Sequence, residues 1–248
     1  MQGIDVVVLT KNSAKTVGQC LEAIRRVITG ARIIVIDDSD DGGETAQIAS
    51  KYADDIRVHP GNIGEKRDFA LDLIETPIFA FVDSDVIVNA PAFQRSMEIL
   101  RAEESVAAVH SRVRPTDRRD FSGSETKRNL TFGFALLRTA PIRQVRIPHQ
   151  PRGEDPATGA RLKKLGYEVA WQGEFPCGHL RTVVDVWRHY FQYGKRGHYE
   201  GHPLYAIQNL IRHPSAKSLV LQLYFMAGYA DFRLRKLMSP GSDKRQRN

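Results

Sequence analysis

The chain has 248 residues, 42% hydrophobic and 26% charged, which suits one large α/β domain or such a core with a small appendage and excludes wholesale disorder. Its formal charge of +7 and pI near 9.5 favour an anionic partner: nucleic acid, anionic lipid or a phosphorylated small molecule. The two cysteines, Cys20 and Cys177, are far apart in sequence, which excludes a disulfide framework or a paired-cysteine metal or redox motif.

Residues 4–9 read as a buried strand. No basic region with an apolar signal core precedes them, so a cytoplasmic location is expected. With Asn12 or Ser13 as N-cap, Val17, Cys20, Leu21, Ile24, Val27 and Ile28 recur at helical spacing, and the helix is expected to stop at Gly30. Residues 32–36 form a second strand, followed by an acidic turn over 37–43 and a helix through about Ala53. Residues 56–58 are a short third strand. Residues 64–74 form a helix with Phe69, Ala70, Leu73 and Ile74 inward.

Residues 78–82 are nearly all apolar and so read as a central strand, which runs directly into Asp83-Ser84-Asp85. A helix over 91–102, a strand over 106–113 and a polar loop over 115–127 follow. Residues 131–138 read as a strand, 153–164 as a loop leading into a helix stopped by Gly166, and 167–171 as a further strand. This alternation predicts right-handed βαβ units in a mostly parallel sheet.

From about Val183 the pattern is helical, over 183–193, 204–211 and 219–237, with a polar, basic tail over 239–248. The expected organisation is a core domain over 1–182, with halves over about 1–113 and 114–182, and a helical appendage over 183–248. The apolar stretch 219–230 contains Gln222 and ends at Asp231, too short and polar to span a bilayer. Beside Arg233, Arg235 and Lys236, it fits equally a helix lying on the inner face of the cell membrane as a peripheral contact and one packed on the core or on a second subunit in a homodimer.

Ligands of open α/β sheets bind beyond the carboxyl ends of the strands. Those positions hold Thr10 to Asn12, Asp37 and Asp38, and Asp83 to Asp85. Two carboxylates after the most apolar strand suit a hard divalent cation, Mg²⁺ or Mn²⁺, held together with substrate phosphates. A bland alternative is that they cap the next helix.

Four pieces occur in order: Leu9-Thr10-Lys11-Asn12, then Asp37-Asp38-Ser39-Asp40-Asp41-Gly42, then Asn62-Ile63-Gly64-Glu65-Lys66-Arg67, then Asp83-Ser84-Asp85. An aromatic/Gly strand, Phe132-Gly133-Phe134-Ala135-Leu136-Leu137-Arg138, and a Glu154-Asp155 pair opening a helix that ends in Gly166-Tyr167 come next. Over roughly residues 4–190 the chain resembles the inverting, GT-A-fold glycosyltransferases of family two.

The resemblance implies a GT-A-type, Rossmann-like mixed sheet, mostly parallel and flanked by helices. It implies transfer of a sugar from a nucleoside-diphosphate sugar, a UDP- or GDP-sugar, to a hydroxyl or phosphate of a glycan or polyprenyl-phosphate acceptor, assisted by Mn²⁺ or Mg²⁺. Carried over residue by residue, Asp38 with Asp37 and the backbone near Thr10 and Asn12 would recognise base and ribose, with Lys66 or Arg67 nearby. Asp85 would be the main metal contact, Asp83 would bind the sugar-ribose side or the metal's water shell, and Ser84 lies between them. Asp155 would be the general base, with Glu154 its rival. His179 would be a third metal ligand or a diphosphate contact. Solvated Lys66 and Arg67, and helix capping by the acidic pairs, are the plain structural alternatives.

Two features depart from the commonest pattern of that family: the acidic turn lacks the usual Gly-Ser after its two Asp residues, and no transmembrane tail is evident. Trp187, Arg188, Tyr193, Lys195, Arg196 and His198 form a basic, aromatic cluster suited to a diphosphate or an anionic acceptor, or to packing the appendage. A sugar-phosphate nucleotidyltransferase would carry a Gly-rich loop after the first strand, where residues 9–13 have no Gly, and a dinucleotide-dependent dehydrogenase would carry Gly-x-Gly-x-x-Gly. No recognised nucleic-acid motif accompanies the basic charge. A non-catalytic sugar-nucleotide-binding protein remains the alternative to an enzyme.

Overall fold

In the computed structural model, the described residues are 3–115, 129–180, 191 and 216–238. Those at 3–115 and 129–180 fall within one compact unit, and residues 191 and 216–238 within a second. The expected helices over 183–193 and 204–211, the loop over 115–127 and the aromatic cluster over 187–198 lie wholly or almost wholly outside the described residues.

The first unit runs β1 (Asp5–Thr10), α1 (Val17–Val27), β2 (Arg32–Asp37), α2 (Glu44–Ala49), β3 (Asp55–Val58), α3 (Ile63–Leu71) and β4 (Ile78–Asp83). It continues with β5 (Val86–Ile87), α4 (Ala90–Ala102), β6 (Val106–Pro115), β7 (Phe134–Arg138), α5 (Thr139–Val145), α6 (Glu154–Lys164) and β8 (Glu168–His179). The strands form one sheet in the order β3-β2-β1-β4-β7-β6-β8-β5. Pairing is parallel from β3 through β4 and between β6 and β8, and antiparallel where β7 meets β4 and β6 and where β5 meets β8.

The mixed sheet follows from side-chain alternation. Val6, Val8, Ile33 and Val35 point to one face, where they join Val17, Cys20, Leu21 and Ile24 of α1. Val7, Ile34 and Ile36 point to the other, with Ala70 and Leu71 of α3, Ile142 of α5 and Leu162 of α6. A strand apolar at every position is what burial of both faces requires. Asp5 is also buried, at the start of β1, where Arg32 Nε donates at 2.8 Å and the Glu75 amide at 2.6 Å. A buried carboxylate needs such partners.

Several boundaries differ from the sequence reading. Helix α1 starts after Thr16 rather than at Asn12 or Ser13: Asn12 has φ 53°, and the Ser13 carbonyl accepts from Thr16 N and Val17 N in a turn that precedes the helix. Asn12 and Ser13 are engaged with Ser39, Asp40 and Thr45 instead. Helix α2 ends at Ala49, and β7 begins at Phe134 rather than Thr131. Strand β8 is 12 residues long, extending well past Trp171 because it pairs with β6 and then with β5. The short α5 and β5 had no sequence signal. Cys20 and Cys177 are buried free thiols.

Helix α3 opens with a reciprocal cap: Asn62 Oδ1 accepts from Glu65 N at 3.1 Å, and Glu65 Oε2 accepts from Asn62 N at 2.7 Å. Gly64, in its first turn, lies against the segment between α5 and α6. A Cβ at Gly64 would sit 2.1 Å from the Pro148 carbonyl oxygen and 2.8 Å from Gln150 N. Both are backbone atoms. Gly64→Ala therefore forces the two segments apart and should destabilise the domain by about 2 kcal/mol, read as a lower denaturant midpoint at unchanged slope.

Candidate active site

Strands β2, β1 and β4 are neighbours in parallel register, with Thr10 opposite Asp37 and Leu9 opposite Asp83. The carboxyl ends of three strands thus stand side by side. Thr10 Oγ1 donates to Asp37 Oδ1 at 2.6 Å, as does Ser39 Oγ at 2.6 Å, and this fixes Asp37 at 5% exposure. Asn12 spans to the acidic turn, its amide donating to Asp40 Oδ1 at 2.6 Å. Ser13 and Ser84 hydroxyls meet at 3.0 Å, joining the β1 loop to the Asp-Ser-Asp turn. Asp41 accepts from the amide and hydroxyl of Thr45, so it serves α2.

Three consecutive charged residues of α3 are buried: Lys66, Arg67 and Asp68. Successive helix positions turn by about 100°, so the three reach different partners. Lys66 Nζ lies 3.5 Å from Asp38 Oδ2, which Lys11 Nζ also approaches at 2.9 Å. The hydrogen bond from Lys11, with help from Lys66, holds the Asp38 carboxyl below its ordinary range against the opposing effect of burial. Burial in turn lowers the Lys66 pKa, and Asp38 resists that.

Arg67 Nη2 donates to Asp83 Oδ1 at 2.9 Å, and Nη1 donates to Glu154 Oε1. The guanidinium also stands 4.7 Å from the centre of the Phe132 ring and 5.7 Å from that of Phe81. Asp68 accepts from Ile147 N and His149 Nε2, each at 2.9 Å, and pairs with Arg146 Nε at 2.9 Å. Burial opposes ionisation of Asp68, but those bonds outweigh it and hold its pKa below the usual carboxylate range. Lys66 and Arg67 are therefore not solvated, contrary to the bland sequence alternative.

Helix α6 starts at Glu154, after Gly153 in the left-handed conformation with φ 70°. Glu154 is buried against Arg67, while Asp155 is only partly covered. Burial first, then the neighbouring Glu154 and Asp83 charges, push the Asp155 carboxyl up to about 7, although Arg67 works against the rise. Two adjacent acids thus have different states: one is locked in an ion pair, and the other titrates near neutrality.

His179 Nε2 lies 3.3 Å from Asp85 Oδ2. Backbone pairing brings them together, since Val86 faces His179 across β5 and β8 and Leu180 N donates to the Asp85 carbonyl at 2.8 Å. Among the described residues no three His, Cys, Asp or Glu side chains are grouped to hold a metal by themselves. A carboxylate beside an imidazole nitrogen suits a divalent cation that takes its other ligands from phosphate and water. Asp83 faces Arg67 as well as this turn.

The structure thus gathers Thr10, Asn12, Asp37, Asp38, Lys66, Arg67, Asp83, Ser84, Asp85, Glu154, Asp155 and His179 around the carboxyl ends of one sheet. The sequence reading gives no role of their own to Lys11 and Phe132, which lie within its motifs, and does not single out Asp68, Arg146 or His149. The only local signal for Asp68 was a third charge beside Lys66 and Arg67 in a short helix, and its partners lie about 80 residues on.

A mixed sheet of this order, with helices on both faces and acidic strand ends, has the GT-A architecture. Residues 5–153 match the family Glycosyl transferase family 2, and since that is more than half of the chain, the protein belongs to it. Glycosyl transfer is accordingly its class of activity. Solved structures with the same fold include TarS from S. aureus (residues 1–349), at TM-score 0.59 and 16% identity over 99% of this chain and 76% of that one. Glucosyl-3-phosphoglycerate synthase from Mycobacterium tuberculosis, crystallised with Mn²⁺, UDP-glucose and glycerol 3-phosphate, gives TM-score 0.56 and 20% identity over 73% of each chain. A search of the curated proteins gives no match.

Asp68 provides a stability test. Its lowered pKa means that its contribution is present above about pH 4, the unfolded value, and is lost as pH falls through the lower folded value. Asp68→Ala, which removes the acceptor of the buried Ile147 amide and leaves Arg146 with Asp72 as its remaining carboxylate, should cost about 2–3 kcal/mol at pH 7. The difference from wild type should shrink in denaturant titrations repeated at progressively more acidic pH.

Proposed function

We propose that the protein is an inverting glycosyltransferase that uses a nucleoside-diphosphate sugar, with Asp155 as general base. The observation that carries this reading is the pair opening α6. Glu154 is consumed by Arg67, whereas Asp155 stands free of that ion pair with its carboxyl pushed up to about 7, a value suited to proton removal near neutral pH. In the proposed reaction Asp155 takes the proton of the acceptor hydroxyl as its oxygen attacks the anomeric carbon. The nucleoside diphosphate leaves from the opposite face with the bonding pair, and the configuration inverts.

Thr10, Asp37, Asp38 and Lys66 would receive base and ribose. The neighbours' complexes, TarS with UDP-GlcNAc and the mycobacterial synthase with UDP-glucose, support UDP as the nucleotide. Asp85 and His179 would hold a divalent cation, Mn²⁺ or Mg²⁺, with Asp83 on the sugar-ribose side. When bound there, the cation would neutralise charge gathering on the departing diphosphate. Ser84 holds the turn through Ser13.

Asp155→Asn should lower turnover at least about 100-fold in an assay of a UDP-sugar panel with Mn²⁺ and candidate acceptors, with the fold intact by circular dichroism. Wild-type kcat/KM should rise with pH and level off above about 7. Because the raised pKa disfavours the folded state as pH climbs past the unfolded value of about 4, the same variant should be the more stable protein at pH 8. Full activity in Asp155→Asn, or in Asp85→Ala with metal present, overturns the respective assignment. Donor binding without turnover in every acceptor mixture would favour a non-catalytic binding protein.

We also infer that the second unit contacts an anionic membrane surface. Its helix α7 (Ala216–Met238) buries Leu221, Gln222 and Phe225 on one side, while Leu219, Leu223, Leu234 and Met238 are exposed on another. Ala227 and Ala230 are exposed between them, so one apolar stripe runs about 30 Å along the helix. The helix sequence carries Lys217, Arg233, Arg235 and Lys236 against a single acid, Asp231, a charge balance that complements anionic lipid. No described helix is long and apolar enough to cross a membrane. Flotation with phosphatidylglycerol vesicles should recover the protein, and Leu223→Glu/Leu234→Glu should abolish this; no flotation, or flotation unaffected by the substitutions, removes the idea, as does burial of the stripe in a dimer in solution.

A further inference from the structure

Arg67 is 3% exposed and sits between two carboxylates that arrive from different parts of the chain, Asp83 at the end of β4 and Glu154 at the start of α6. We propose that Arg67 is a positioning residue for transfer, its guanidinium fork tying the turn that receives the donor to the helix end that presents the base. The proposal rests on the reading of Asp155 as that base.

One guanidinium nitrogen is given to each of the two segments, Nη2 to Asp83 at 2.9 Å and Nη1 to Glu154. A planar fork can fix two acceptors at a set separation, which a point charge on a flexible stem cannot do. Phe132 stands 4.7 Å from the guanidinium carbon and Phe81 5.7 Å from it, so the plane of the fork has apolar walls. The Asp83 amide is itself held by the Gly133 carbonyl at 3.0 Å, next to Phe132 in sequence. Gly133 is close-packed: a Cβ there would meet Val113 Cγ2 at 3.3 Å.

Buried ion pairs of this kind are often matched or exceeded in stability by apolar side chains of similar volume, and Arg67 Nε is buried with no hydrogen-bond partner. A residue placed only to stabilise α3 would be better served by a hydrophobic side chain. What the triad supplies is a fixed relation between Asp83 and Glu154, and hence between Asp83 and the adjacent Asp155. A misplacement of about 1 Å at such a site can cost on the order of 100-fold in rate.

Arg67 also sets the charge around Asp155. Glu154 on α6 and Asp83 at the end of β4 raise its pKa, and Arg67 from α3 lowers it. Loss of Arg67 leaves both carboxylates unopposed, and the base becomes harder to ionise. A residue that merely filled space would leave that titration where it is.

The test compares wild type, Arg67→Met, Arg67→Lys and Asp155→Asn. The readouts are pH profiles of UDP-sugar turnover and the titration of the Asp155 carboxyl carbon by NMR, which needs no substrate. Arg67→Met should move the Asp155 titration and the acid limb of kcat/KM upward by about one unit. It should lower kcat at pH 7 about 10- to 100-fold, with donor KM changed less than about threefold, and recover part of the loss at high pH. Arg67→Lys should restore the titration more than it restores kcat, because it keeps the charge without the fork. An unshifted Asp155 titration with wild-type kcat overturns the proposal, and a rise in donor KM alone makes Arg67 a donor-binding residue instead. If Arg67→Met does not fold, Arg67→Lys decides: wild-type kcat in that variant overturns the proposal. Asp155→Asn separates this role from the reading it rests on. Activity surviving in Asp155→Asn overturns the base assignment, whereas its loss there beside an unchanged Arg67→Met overturns only the role of Arg67.

Discussion

The parallel register of β2, β1 and β4 is the constraint on which the rest depends. Because Thr10 stands opposite Asp37 and Leu9 opposite Asp83, three loops that bear polar side chains leave the sheet at one level and at neighbouring positions. A slip of one residue in any of these strands would exchange the side chains fitted to its two packed faces. Both faces are packed with buried Val, Ile and Phe, so the core that stabilises the domain also sets the spacing of the site. Stability and function share a cause here.

Helix α3 converts that spacing into chemistry. Its Asn62–Glu65 cap fixes where it starts, and Gly64 lets the segment before α6 lie directly on its first turn. Lys66, Arg67 and Asp68 then reach toward Asp38, the Asp83–Glu154 pair and the Arg146–His149 segment respectively. One short helix therefore touches Asp38 at the end of β2, the Asp-Ser-Asp turn and the start of α6. Burying three consecutive charges is costly unless each is paired, and each of them is.

The sequence readily discloses elements whose own pattern is periodic. The run at 78–82 reads as a central strand and lies between β1 and β7, in the interior of the sheet. The apolar spacing of Val17, Cys20, Leu21 and Ile24 gives α1, although the helix starts later than the cap-like Asn12 and Ser13 suggest, because Asn12 bonds across to the acidic turn and Ser13 to Thr45 of α2. Strand β8 runs to more than twice the length that its local pattern predicts, since its second part, through Cys177 to His179, is held by pairing with β6 and β5 rather than by local preference. A short strand such as β5 carries too few residues to show any period.

By itself the sequence determined the class of sheet, the order of the motifs and the residues that could bear the chemistry, because strand alternation, turn chemistry and residue type are local properties of the chain. It left Glu154 and Asp155 as rivals, and left Lys66 and Arg67 with the same outline role. Only the tertiary structure distinguished their surroundings. Arg67 comes from 87 positions earlier in the chain to pair with Glu154, and the burial that raises the Asp155 pKa is likewise assembled by folding. Ion pairing and desolvation act through space, and no spacing along a sequence encodes which of two adjacent carboxylates meets the guanidinium.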